Sequence, residues 1–148
     1  MFKRVHGSHA FNLVGMLGVL VVLAVLVAVM LPGFTGASLQ SREVALQSDL
    51  KILRNAIWLF QVDCGCSPES LADLATTTSP AFGINSTGSR KAIGPADWNG
   101  PYVASVPNDP ISGNAFFYYT SPVNGHKVGE LTSSSSATGR DGKAYSTW

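Results

Sequence analysis

From Leu13 to Leu31 the chain runs 19 residues without a charged or strongly hydrogen-bonding side chain, in "LVGMLGVLVVLAVLVAVML". Nothing else in the 148 residues restricts the fold so tightly. In an apolar surrounding every backbone N–H and C=O must be satisfied internally, so a single such segment is a helix. At 1.5 Å per residue it covers about 28 Å, close to the ~30 Å hydrocarbon core of a bilayer. A secretory signal core is shorter, ~7–15 residues, although "TGAS" at 35–38 offers small residues for a signal cut after Ala37. Lys3 and Arg4 precede the run, which predicts a cytoplasmic amino end and export of everything after Pro32.

Pro32 lacks an N–H and crowds the preceding turn, which predicts a kink or weak point there, extended by Gly33 and Gly36. Helical periodicity then resumes. Leu46, Leu50, Leu53, Ile57 and Phe60 recur at spacings of four, three, four and three, one apolar face of a 3.6-residue period. Trp58, Leu59 and Val62 read as widening that stripe, while Arg42, Glu43, Gln47, Lys51 and Arg54 fall largely on the other side.

The remaining residues suffice for one small domain. Ser67 reads as the N-cap of a short helix with Pro68 at its first position and Leu71, Leu74 and Ala75 to bury. "TTTSPAFGINSTGSRKAIGPADWNGP" reads as a long loop, and "AFFYYT" followed by "VNGHKVGEL" reads as two strands around an Asn-Gly turn. The fold class expected is α+β: a long amino-terminal helix, membrane-spanning in its first half and amphipathic to about residue 63, packed on a small domain with a short antiparallel sheet. The polar tail ends in Trp148, which either docks back on the domain or frays.

Charged residues are 13% of the chain and the net charge is +1, so no clustered basic face marks a nucleic-acid binder. Enzymatic chemistry lacks its pieces: there is no phosphate-cradling glycine motif and no Gly-x-Ser-x-Gly elbow, and His126 is the only histidine beyond His6 and His9. Cys64 and Cys66, one glycine apart, would close a very small and strained ring as a disulfide. A local or labile pair, an intermolecular bond and a metal site remain as readings, the last short of further ligands nearby in sequence.

Phe11 opening a long apolar helix after a basic leader resembles a type IV pilin-like precursor. "DLKILRNAIWLFQVDCGCSPESLADL", then "WNGPYVASVPNDPISGNAFFYY" and the closing "STW", narrow the resemblance to the major pseudopilin of type II secretion. That resemblance implies a leader at 1–10 cut between Ala10 and Phe11 by a prepilin peptidase, with methylation of the new amino group. It implies a filament-core and transmembrane helix at 11–34, including Leu13, Val14, Gly15, Leu17, Leu20 and Pro32. It implies an exported domain at 35–148, periplasmic or in a filament outside an inner membrane crossed once.

The partners implied are copies of the chain or other pseudopilins, the peptidase, an inner-membrane assembly platform and membrane lipid, with no nucleic acid. Two positions depart from the family pattern: Ala10 replaces the usual Gly, and Gly15 replaces the usual Glu whose carboxylate pairs with a neighbour's amine. Calcium, held by oxygen ligands in carboxyl-terminal loops, is the ion the family implies. Asp141 is the acid at that place, and "RDGK" equally makes it a turn residue. The competing reading is a secreted or membrane-anchored extracytoplasmic binding domain, with the apolar run as signal peptide or tether.

Overall fold

The computed structural model describes the backbone of residues 13–148 and the side chains of 14–27 and 38–148. The leader and the Ala10–Phe11 junction lie outside the described residues, as do the side chains of Leu13 and Pro32. The chain divides into two units, one ending at Leu39 and one comprising Gln40–Trp148.

Helix α1 spans Leu13–Cys64 and its assignment passes through Pro32 without a break. A proline removes one donor from the ladder and leaves the neighbouring i→i−4 bonds available, so the expected weak point does not end the helix. In the first unit every large apolar side chain described between Val14 and Val27 is more than half exposed. Among the described residues no helix is long and apolar enough to cross a membrane. Residues 14–27 cover only about 21 Å, short of the ~30 Å core, and the rest of the predicted run, 28–31, lies outside the described side chains.

In the second unit α1 supplies one wall of the core. Leu46, Leu50, Leu53, Ile57 and Phe60 are all buried, each worth about 1.5–3 kcal/mol relative to exposure. Trp58, Leu59 and Val62 do not widen this stripe: they are 60%, 44% and 60% exposed. At 100° per residue they fall on the side of the helix opposite Leu53 and Phe60, and there is no second layer there to cover them. The helix ends where Gly65 takes φ +62 and its N–H reaches Gln61 O at 2.9 Å. Lys91 Nζ donates to the last carbonyls, Cys64 O at 3.1 Å and Gly65 O at 3.2 Å, a glycine stop reinforced by a cation at the negative end of the helix.

Beyond α1 the elements are short. Strands β1 (Ser67–Pro68), β2 (Phe82–Ile84) and β3 (Arg90–Ala92) form an antiparallel sheet in that order. Ser67 and Pro68 are therefore an edge strand and not a helix start. The only helical residues nearby are a 3-10 turn, Leu71–Leu74, with Ser70 as its N-cap and the Asp73 carboxylate accepting the Ser70 N–H. The segment read as one long loop contains β2 and β3. Their connection is closed by the Asn85 side chain, which accepts the N–H groups of Thr87 and Ser89, a local device with little hydrophobic signature.

Strands β4 (Phe117–Tyr118) and β5 (Leu131–Thr132) form the second sheet, with Phe117 opposite Thr132. The Asn124–Gly125 turn between them has positive φ at both residues, as a tight hairpin requires. His126 is half-buried: its Nδ1 lies 2.9 Å from Glu130 Oε1 and its ring stacks on Tyr119 at 4.0 Å.

Gly83 in β2 lies where a side chain would not fit. An added Cβ would stand 2.5 Å from Cys66 Sγ and 2.6 Å from Ser67 O. Because one of these is backbone, Gly83→Ala must push β1 and β2 apart and is expected to cost about 1–3 kcal/mol. A urea midpoint within error of the parent chain would show that the strands yield freely.

Candidate functional site

Two helix side chains hold the carboxyl-terminal segment against α1. Glu43 is buried and not on the polar side expected for it: three residues before Leu46 and seven before Leu50, it continues the buried face of the helix. Its Oε1 accepts the Tyr145 hydroxyl at 2.7 Å and the Arg140 N–H at 2.9 Å. Arg140 in turn donates through Nη1 to Gln40 Oε1 at 3.1 Å. Three turns further on, Arg54 Nη2 donates to Leu131 O at 2.9 Å and also to Trp148 O. Tyr145 and Trp148 meet edge to face, 5.1 Å between centroids. Burial, then the Glu43 contact, pushes the Tyr145 phenol up to about 12, so it remains a donor at any physiological pH. Trp148 docks back on the domain.

Asp109 organises the loops behind this segment and is fully buried. Its Oδ1 accepts the N–H groups of Ile111 at 2.8 Å and Ser112 at 3.3 Å. Its Oδ2 accepts the Ser134 N–H at 3.0 Å and the Ser133 hydroxyl. Ser112 and Ser134 hydroxyls meet at 2.7 Å, and Ser135 N–H reaches Ser133 Oγ at 3.1 Å. Burial alone would push this carboxyl up, but the bonds from Ser133 and from three backbone N–H groups outweigh it and hold it below the ordinary value. Asp49, half-buried on α1, is held above its ordinary value by burial and by the charge of Asp109.

These donors bear on the ion. Both Asp109 oxygens are occupied by N–H and O–H donors, and Asp141 Oδ1 accepts the Lys143 N–H at 3.0 Å within its turn. Among the described residues no group of three His, Cys, Asp or Glu could hold a metal. Asp141 serves its turn through its bond from the Lys143 N–H, and a hard cation there would draw its other ligands from backbone carbonyls and hydroxyls.

Cys64 and Cys66 are both buried free thiols, not a disulfide. Gly65 in the left-handed conformation separates them, and each sulfur has its own surroundings: Cys64 Sγ donates to Asp97 O at 3.6 Å, and Cys66 Sγ lies against Gly83. Burial pushes both thiols up, with each other's charge adding for Cys64 and Lys91 opposing for Cys66. Thiols held protonated in this way are poor nucleophiles.

Of the predicted filament-core residues, Val14, Leu17 and Leu20 are exposed, and Gly15 lies among them on α1. Sequence reasoning missed Glu43 and Asp109 as structural centres. The only available signals were an acid at the edge of the apolar stripe and a Pro-x-Asp-Pro segment ahead of a serine run.

The family model for type II secretion system protein G matches residues 34–146. No match is found among curated proteins or among solved structures.

Proposed function

The chain belongs to the family of type II secretion system protein G, the major pseudopilin, whose members are structural subunits and not enzymes, and from that premise we propose that it is a filament subunit supporting protein export. It enters the inner membrane once, amino end in the cytoplasm, and a prepilin peptidase cuts it between Ala10 and Phe11 and methylates the new amino group. The helix then moves from lipid into a bundle of its own copies or of other pseudopilins, built on an inner-membrane platform, with the domain outside.

The observation that carries this reading is the first unit: from Val14 to Val27 every large apolar side chain is more than half exposed in the single chain. A surface apolar on all sides is stable only against lipid or other apolar helices. Exchanging one for the other costs little hydrophobic energy, because both are apolar. The test is the intact mass of the chain from its native membrane fraction, with fragmentation of the amino end. A chain that begins at methylated Phe11 is expected. A start at Ser38 would instead leave a secreted domain, and an uncut Met1 would leave a tether; either sinks the proposal.

A further inference from the structure

Beside the carboxyl-terminal segment lies a cleft of about 530 Å³, lined on the helix by Gln47, Lys51, Arg54 and Asn55 and from the carboxyl-terminal segment by Asp141, Lys143 and Trp148. Three cations face one carboxylate, and that carboxylate already accepts the Lys143 N–H. Arg54 is spent on the carbonyls of Leu131 and Trp148. Among the described residues the ammonium groups of Lys51 and Lys143 have no hydrogen-bond or ion-pair partner. A cleft with two unpaired ammonium groups and two side-chain amides is suited to a carboxylate.

The chain itself carries the complementary group. Seven of its nine acidic residues are engaged internally, as Glu69 is by Arg90 and Asp63 by Tyr102. Among the described residues the two without a side-chain hydrogen-bond or ion-pair partner are Asp49, half-buried on α1, and Asp97. Asp97 is exposed at the tip of Pro95–Ala96–Asp97, all three exposed. Its carbonyl accepts the Cys64 thiol, so the tip stands at the last residue of α1. Lys51 lies 13 residues earlier on the same helix, about 20 Å along the axis. Tip and cleft are therefore at different heights on one body, and docking one into the other between parallel copies staggers them along the helix. A head-to-tail contact of that kind propagates.

We infer that the Lys51–Lys143 cleft receives the Asp97 carboxylate of a second copy of this chain. The inference rests on the filament reading above and assigns one of its contacts.

The test is zero-length carbodiimide coupling, which joins a carboxylate directly to an amine in contact with it. It is applied to the full-length chain in membranes, with isotopically heavy and light copies made together. The expected product is a mixed heavy–light peptide joining the Asp97 segment to Lys51 or Lys143, in a ladder of oligomers. Reversing Lys51 and Lys143 to Glu together removes the coupling amines along with the charge, so the joined Asp97 peptide should disappear and the ladder should fall by about fivefold or more. Adding Asp97→Lys to the reversed chain should restore it, because the pair is then rebuilt with opposite signs. A ladder joined only through other carboxylate–amine pairs, with none between the Asp97 segment and Lys51 or Lys143, would overturn this contact and leave the filament reading intact. A closed dimer alone would overturn the stagger, coupling of the cleft to a foreign protein would overturn the choice of occupant, and no coupled oligomer at all would overturn this contact, the filament reading being judged by the mass of the amino end.

Discussion

Asp109→Ala should destabilise the Gln40–Trp148 domain by about 3–5 kcal/mol, among the largest losses any single polar substitution in this chain would cause. The carboxylate is fully buried and accepts from Ile111, Ser112, Ser133 and Ser134. Removing it orphans donors on two separate loops at once. Water cannot reach them without opening the core. Asp109→Asn keeps the volume but turns a donor toward donors on one side, and should cost about 2 kcal/mol. Urea unfolding of the full chain in detergent, followed by tryptophan fluorescence, measures both. A loss below about 1 kcal/mol for the alanine variant would mean that the 133–135 segment is held by something else.

The same residue sets an acid limb. Its folded value lies below the ordinary carboxyl value of 3.8, so the carboxylate form is the one the fold favours. Its contribution is fully present above the unfolded value and disappears as pH falls through the depressed folded value. Stability should therefore drop on acidification through that window in the parent chain, and Asp109→Asn should remove this part of the drop. Asp49 acts in the opposite sense: its raised value means that the fold disfavours its charge, which lowers stability at neutral pH and relieves it on acidification.

Tyr145→Ala is the second large effect, also about 3–5 kcal/mol. The ring is 1% exposed, abuts Trp148 and sends its hydroxyl to Glu43. Its removal opens a cavity and strips the buried Glu43 carboxylate of one of its two donors. Tyr145→Phe separates the two contributions: the ring stays, and the lost hydrogen bond to a buried carboxylate should cost about 1–3 kcal/mol. Limited proteolysis gives a second readout. Cleavage within 137–148 should accelerate strongly for the alanine variant and slightly for the phenylalanine variant. Equal rates in all three chains would show that Arg54 alone suffices to hold the segment.

The parts legible from the residues are those governed by neighbours in sequence. A 3.6-residue period identified Leu46, Leu50, Leu53, Ile57 and Phe60 as the buried face, and all five are buried. The Asn124–Gly125 turn was readable because few residue pairs accept positive φ at both positions. Trp58, Leu59 and Val62 were misread because hydrophobicity says that a side chain prefers cover, not which side of the helix the domain occupies. Ser67 and Pro68 carry good local signals for a helix start, yet pairing of Ser67 with Ile84 and Pro68 with Gly83 takes them into a strand. Local preferences of this size, about 1 kcal/mol, yield readily to a sheet edge.

What the sequence by itself determined is the long helix, its change from an all-round apolar surface to a single stripe, and the family to which residues 34–146 belong. Those features repeat over many residues, so each adds to the same answer. The locks were decided only by the tertiary structure. Glu43 meets Tyr145 across 102 residues, Arg54 meets Leu131 across 77, and Asp109 meets Ser134 across 25. A buried carboxylate is stable only when the whole chain has brought donors to it, and no local pattern records where those donors will come from.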